Sequence, residues 1–137
     1  GPMAVELRNS DKLPAPAGYS HAAIGPEGGR VVHLAGQIGT DADGSHPEGL
    51  AAQTEQALIN LVDALTGTSD ATVDDIAKLT MYVVGWRESM ATDLFAGIGN
   101  AATINPMPLV PITLVGVQSL FLDESLIEIE AVAVLSP

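Results

Sequence analysis

The chain has 137 residues, 47% of them hydrophobic and 4% aromatic, and its 17 acidic residues against five basic ones give a formal net charge of −12. That length supports one domain with a single core, which must be built from Ala, Val, Leu and Ile. The charge argues against phosphate backbones and anionic membranes as partners, because a field of that sign repels both.

Gly1 and Pro2 before Met3 read as a tag remnant. Residues 3–18 are polar, carry Pro14 and Pro16 and show no period, which predicts an extended lead-in to a single domain over 19–137. Ser20 to Ile24 is a short strand candidate, and the turn cluster Gly25 to Gly29 joins it to Val31 to Ile38 as a β-hairpin. In that second strand Val32, Leu34, Gly36 and Ile38 would share one face. Asp41 to Gly44 is a turn, and Ser45 with Glu48 resembles a capping box that starts a helix near Pro47. Leu50, Thr54, Ala57, Leu58, Leu61, Val62 and Leu65 then recur at helical spacing, which predicts a one-faced helix lying on a sheet. Thr68 to Asp75 offers capping residues and one helical turn, and Ile76 to Val84 is rich in strand formers. Ala77, Leu79, Met81 and Val83 would face one way there, with Lys78, Thr80 and Tyr82 facing the other. Arg87 to Asn100 is a second helix whose end Gly97 and Gly99 weaken. A proline-bearing loop from Asn105 to Pro111 feeds a strand from Ile112 to Gln118, and Asp123 to Ser125 turns the chain into the last strand, Leu126 to Leu135. The order β-β-α-β-α-β-β predicts an α+β fold with both helices on one face of a mostly antiparallel sheet.

Several chemistries find no residues here. There is no cysteine, so disulfides and thiol nucleophiles are excluded, in keeping with a cytoplasmic protein. No run of about 18 apolar residues predicts a membrane helix, and neither a nucleophile elbow nor a phosphate-binding glycine loop is present. His46 has only Asp41 and Asp43 near it, too few ligands for a metal, and no cofactor motif stands out. His21 and His33 would face each other across the hairpin.

The last strand carries the sharpest chemical signal. Ile127, Ile129, Ala131, Ala133 and Leu135 form an apolar face, while Glu128 and Glu130 alternate with Leu126, Val132 and Val134 on the other. Two readings stand for these carboxylates: a solvated strand edge, or a cleft in which one of them handles a proton or a water. The partly apolar second face suggests burial against another subunit. Tyr19, beside Gly18, is either a packing residue or a phenol that touches a ligand.

In order and spacing these segments resemble the RidA (YjgF) family from about Tyr19 to the C-terminus. Gly18-Tyr19-Ser20-His21-Ala22 is similar to that family's Pro-Tyr-Ser-Gln-Ala, and Leu34-Ala35-Gly36-Gln37-Ile38-Gly39 to its Ser-Gly-Gln-Ile strand end. Ala52 to Leu61 resembles its first helix, and Ile127-Glu128-Ile129-Glu130-Ala131-Val132-Ala133 its closing signature. The resemblance implies a chorismate-mutase-like subunit in a barrel-like homotrimer, with clefts between neighbours that hydrolyse reactive imines and enamines. It implies Glu128 as the residue that positions or activates water, with Tyr19 and the backbone at Gly36 lining the same cleft.

One position departs from the pattern. The family's Pro-Ala-Arg-Thr stretch corresponds to Val110-Pro111-Ile112-Thr113, so that Ile112 stands where an arginine would clamp a substrate carboxylate. Isoleucine makes no charge-assisted fork, a loss on the order of 2 to 5 kcal/mol in a dry cleft. Lys78 is the one basic residue placed to substitute. Ile112, Leu109, Val110 and Thr113 are therefore expected to line an apolar substrate site. The expected function is a RidA-like small-molecule hydrolase or deaminase whose substrate has no clamped carboxylate, the alternative being a non-catalytic trimer that binds a metabolite.

Overall fold

The structure, a computed structural model, describes residues 5–137. Its sheet is built around β7 (Ile127–Leu135), with β5 (Ile76–Val84) antiparallel on one side and β3 (Arg30–His33) and β4 (Gln37–Ile38) sharing the other. Beyond β5 lies β6 (Ile112–Val117), parallel to it, and the helix α2 (Ala91–Ala102) supplies the crossover that a parallel pair requires. With α1 (Leu50–Thr68) this makes an α+β fold on a mixed, mostly antiparallel sheet.

The alternation read in the last strand is present in β7. Ile127, Ile129 and Ala133 are 0% exposed and pack into one core with Leu58, Leu61 and Leu65 of α1, while the residues between them stay half-buried. Burial of this layer stabilises the fold at about 25 cal/mol per Å² of apolar surface removed from water.

The structure changes several local expectations. The lead-in holds a strand, β1 (Glu6–Arg8), and it is β1 that pairs with β2 (Ala22–Ile24), with Leu7 opposite Ala23. The expected hairpin between Ser20–Ile24 and Val31–Ile38 therefore does not form, because β3 spends its hydrogen bonds on β7. His21 and His33 separate accordingly: His21 Nδ1 accepts from the Ser10 backbone N–H, whereas His33 lies opposite Val132. The tag remnant and the first residues of the lead-in lie outside the described residues.

Val31 to Ile38 is two strands rather than one. His33 stands opposite Val132 but Gln37 opposite Ile129, so the register slips by one residue across Leu34 to Gly36 and the face pattern inverts. Val32 thus shares the helix face with Ala133, while Ile38 shares the opposite face with Glu128. A second bulge, between Ile76 and Lys78, sends Ile76 into the core in place of Ala77.

Helix α1 begins at Leu50, after Gly49 at φ 91°, without a side-chain cap. The Ser45 backbone N–H instead donates to Asp41 Oδ1 and belongs to the preceding turn. The capping box forms further on, where Thr72 and Asp75 close a single 3-10 turn. Gly97 does not end α2: a Cβ there would stand 2.7 Å from Thr54 Cβ, so glycine lets the two helices approach. No helix among the described residues is long and apolar enough to cross a membrane.

Candidate functional site

The open face of the sheet, away from the helices, carries the charged chemistry. Glu128 lies between Ile38 and Tyr82 on neighbouring strands, and Glu130 opposite Thr80. Tyr82 Oη donates to Glu130 Oε1 at 2.6 Å, and on the same face Lys78 Nζ donates to Thr113 Oγ1 at 2.6 Å. The bond to Glu130, then partial desolvation and the negative charges of Glu130 and Glu128, raise the Tyr82 phenol above its ordinary 10.0. Glu128 is treated differently. Among the described residues no cation and no hydrogen-bond donor reaches its carboxylate. Gly36 stands directly over it, where a Cβ would meet Glu128 Cδ at 2.7 Å and Cγ at 2.8 Å. Any side chain at position 36 would displace the carboxylate, so the strand break and the glycine together make its seat.

The helix side of the sheet holds a cavity of about 480 Å³ between α1, α2, β5 and β6. Leu58, Val62, Leu79, Met81, Ile98 and Ile112 are among its walls, with Phe95 and Trp86 beside them. The loop segments from Gly18 to Tyr19 and from Asn105 to Leu109 complete it, and the Ser20 N–H, which donates to the Val110 carbonyl, ties them together. Among the described residues no acidic or basic side chain lines it.

The residues singled out in the sequence are thereby divided. Tyr19, Leu109 and Ile112 line the cavity. Ile112 stands in register with Leu79, a buried core residue, and so faces the helices. Glu128, Gly36 and Thr113 lie on the open face, and Val110 is fully buried in the core. Within one chain the sheet itself separates Glu128 from Ile112. Lys78 is on the face of Glu128 and not at the cavity that Ile112 lines. Sequence reasoning missed Trp86, Asn105, Met107 and Phe95 as cavity residues. The signal available for Phe95 was an aromatic in a helix otherwise rich in Ala and Gly, where small neighbours leave space around it.

Among the described residues no three His, Asp or Glu side chains gather into a metal site. His46 does make a buried contact, its Nε2 lying 2.7 Å from Ser125 Oγ, but Ser125 is 2% exposed and joins the loop to the sheet rather than facing a ligand.

The chain thus combines an α+β fold with an unpaired carboxylate on its open sheet face and an apolar cavity beneath its helices. Comparison with known proteins places it. The family model described as Endoribonuclease L-PSP, that of the YjgF/RidA proteins, matches residues 9–135, and the chain belongs to this family. A protein of the conserved Rid family from Yersinia pestis, YyfB, described as of unknown function, is 34% identical, with 97% of this chain and 100% of that one covered and a TM-score of 0.83. The YjgF gene product of E. coli is 27% identical over 94% of this chain and 98% of that one, with a TM-score of 0.65. E. coli TdcF, solved with bound serine, shares the fold at 23% identity and a TM-score of 0.65, over 88% of this chain and 97% of that one. No curated protein matches the sequence. Family membership supports a small-molecule-processing or endoribonuclease-like function.

Proposed function

We propose that the chain is a Rid-type small-molecule hydrolase, of the imine and enamine deaminase kind, acting in the cytoplasm on a substrate without a carboxylate to be clamped. The observation that carries this reading is the unpaired carboxylate of Glu128 beneath Gly36. A carboxylate held open in this way can accept a proton from an attacking water, a step worth on the order of 10²- to 10⁴-fold in rate. Hydrolysis of an imine then adds that water across C=N, and the carbinolamine loses ammonia to leave a carbonyl. The net charge of −12 supports this choice over a ribonuclease, which must attract a polyanion.

Assembly as a homotrimer through the open face belongs to the same proposal. Val31, Val115, Val132 and Val134 leave that face partly apolar, with Val31 56% exposed, which suits burial against another copy. Such packing would wall in Glu128. Ammonia release from uncharged imines generated in solution tests the reading: Glu128→Gln should lose at least about 10²-fold in rate with no loss of folding. Where assembly brings Ile112 of one copy to Glu128 of the next, Ile112→Arg should gain activity on 2-iminopropanoate, and strong activity of the unaltered protein on that anion would show that the missing arginine does not set the substrate.

A second reading, a trimer that binds a metabolite without turning it over, is favoured by the separation of Glu128 from Ile112 across the sheet. Binding that survives Glu128→Gln in a protein inactive on every imine tested would select it.

A further inference from the structure

The cavity beneath the helices has a division of labour along its wall. The regular elements α1, α2, β5 and β6 contribute apolar side chains without exception, whereas the hydrogen-bonding side chains come from the segments between them, Tyr19 and Asn105 from the two loops and Trp86, with its one indole N–H, from the link after β5. Those loops lie side by side, since Ser20 N–H donates to the Val110 carbonyl. A polar group on a ligand therefore finds its side-chain partners on the connecting segments and none on the helices or strands. Water is a poor occupant of the deep part, because an ordered water needs two to four polar partners. A charged ligand is poorer still, because no cation or anion on the wall offsets its desolvation. The volume, about 480 Å³, falls within the range of pockets that enclose small organic ligands.

We propose that this cavity binds an uncharged molecule with an aryl or branched alkyl body and one hydrogen-bonding group. The body lies among Leu58, Val62, Ile98 and Met81, and the polar group meets Tyr19 or Asn105. Phe95, 66% exposed while also lining the cavity, sits at the rim where the body enters. This rests on the reading of Ile112 as part of a substrate site to which a neighbouring copy brings its Glu128, and names the class of substrate that site accepts: imines and enamines derived from aryl or branched alkyl ketones and aldehydes, in preference to those of small 2-keto acids.

The chain's single tryptophan, Trp86, lines the cavity and reports on occupancy. Acetophenone and phenylglyoxylate form the deciding pair of probes, since they share an aryl ketone and differ by a carboxylate. Acetophenone should quench Trp86 fluorescence saturably, with phenylglyoxylate at least about tenfold weaker, the discrimination that about 1.4 kcal/mol of unpaired-charge cost gives. Ala102→Phe and Ile98→Phe fill the cavity from α2, and whichever of them keeps the wild-type circular dichroism should lose acetophenone binding at least tenfold. No saturable binding of acetophenone to the wild-type protein would overturn the proposal, and so would phenylglyoxylate binding as tightly or more tightly. Because acetophenone is not turned over, the readout is independent of catalysis. A protein that binds it yet hydrolyses no imine would lose the hydrolase reading while keeping this one.

Discussion

The two faces of the sheet are made from the same strands and do opposite things. In β7 the residues Ile127, Ile129, Ala131 and Ala133 are at most 3% exposed against the helices, and Glu128 and Glu130 alternate between them toward the open face. On the helix side packing is continuous except where small residues of α2 leave the cavity. On the open side Tyr82 is matched to Glu130 and Lys78 to Thr113 from the next strand, whereas among the described residues no donor reaches the Glu128 carboxylate. A period of two thus lets one strand carry stability and reactivity at once, provided that the reactive residue is the one its neighbours do not satisfy.

The largest test of this contrast is a pair of truncations in β7. Ile129→Ala should lower the stability by about 2 to 5 kcal/mol in urea unfolding, because it opens a hole in a closed core. Val132→Ala, on the open face, should cost less than about 1 kcal/mol in the isolated chain; equal losses would show that the faces do not differ in the way described. A smaller effect concerns the seat of Glu128. Gly36→Ala puts a Cβ against that carboxylate and should cost about 1 to 3 kcal/mol. Glu128→Ala in the same chain should recover much of the loss, so a double-mutant cycle without coupling would mean that the two residues do not touch.

The smallest effect is on pH dependence. Tyr82 is held protonated by Glu130, so its folded value lies above 10.0. A raised folded value means that its stabilisation is complete below the unfolded value and is lost as pH rises through the folded one. The stability difference between wild type and Tyr82→Phe should therefore be constant through neutral pH and shrink from 10.0 upward, as urea midpoints measured across that range would show. A difference that grew with alkaline pH would put the Tyr82 proton elsewhere.

Much of the fold was legible because its signals are local. The alternation of β7, the one-faced pattern of α1 and the strand at Ile76–Val84 survive in the structure almost residue for residue. What was not legible depended on a partner distant in sequence. The strand at Glu6–Arg8 is three residues, too few to show a period, and it is a strand because β2 is there to pair with it. The bulge between Ile76 and Lys78 and the slip between His33 and Gln37 are register events across strand pairs, and each inverts a face assignment made from alternation. The candidate site suffered most from this. Glu128 and Gly36 stand against one another, and Ile112 follows the register of Leu79 to the other side of the sheet.

By itself the sequence determined the class of fold, the family, the acidic field, and the presence on one strand of carboxylates that its apolar face does not use. Those properties rest on composition and on periods of two and 3.6 residues, which short segments carry within themselves. Tertiary structure alone decided which strands pair, which side Ile112 faces and that a cavity lies under the helices. Register and packing are settled among residues far apart in the chain, and a shift of one residue, invisible in any segment alone, exchanges the two faces of a sheet.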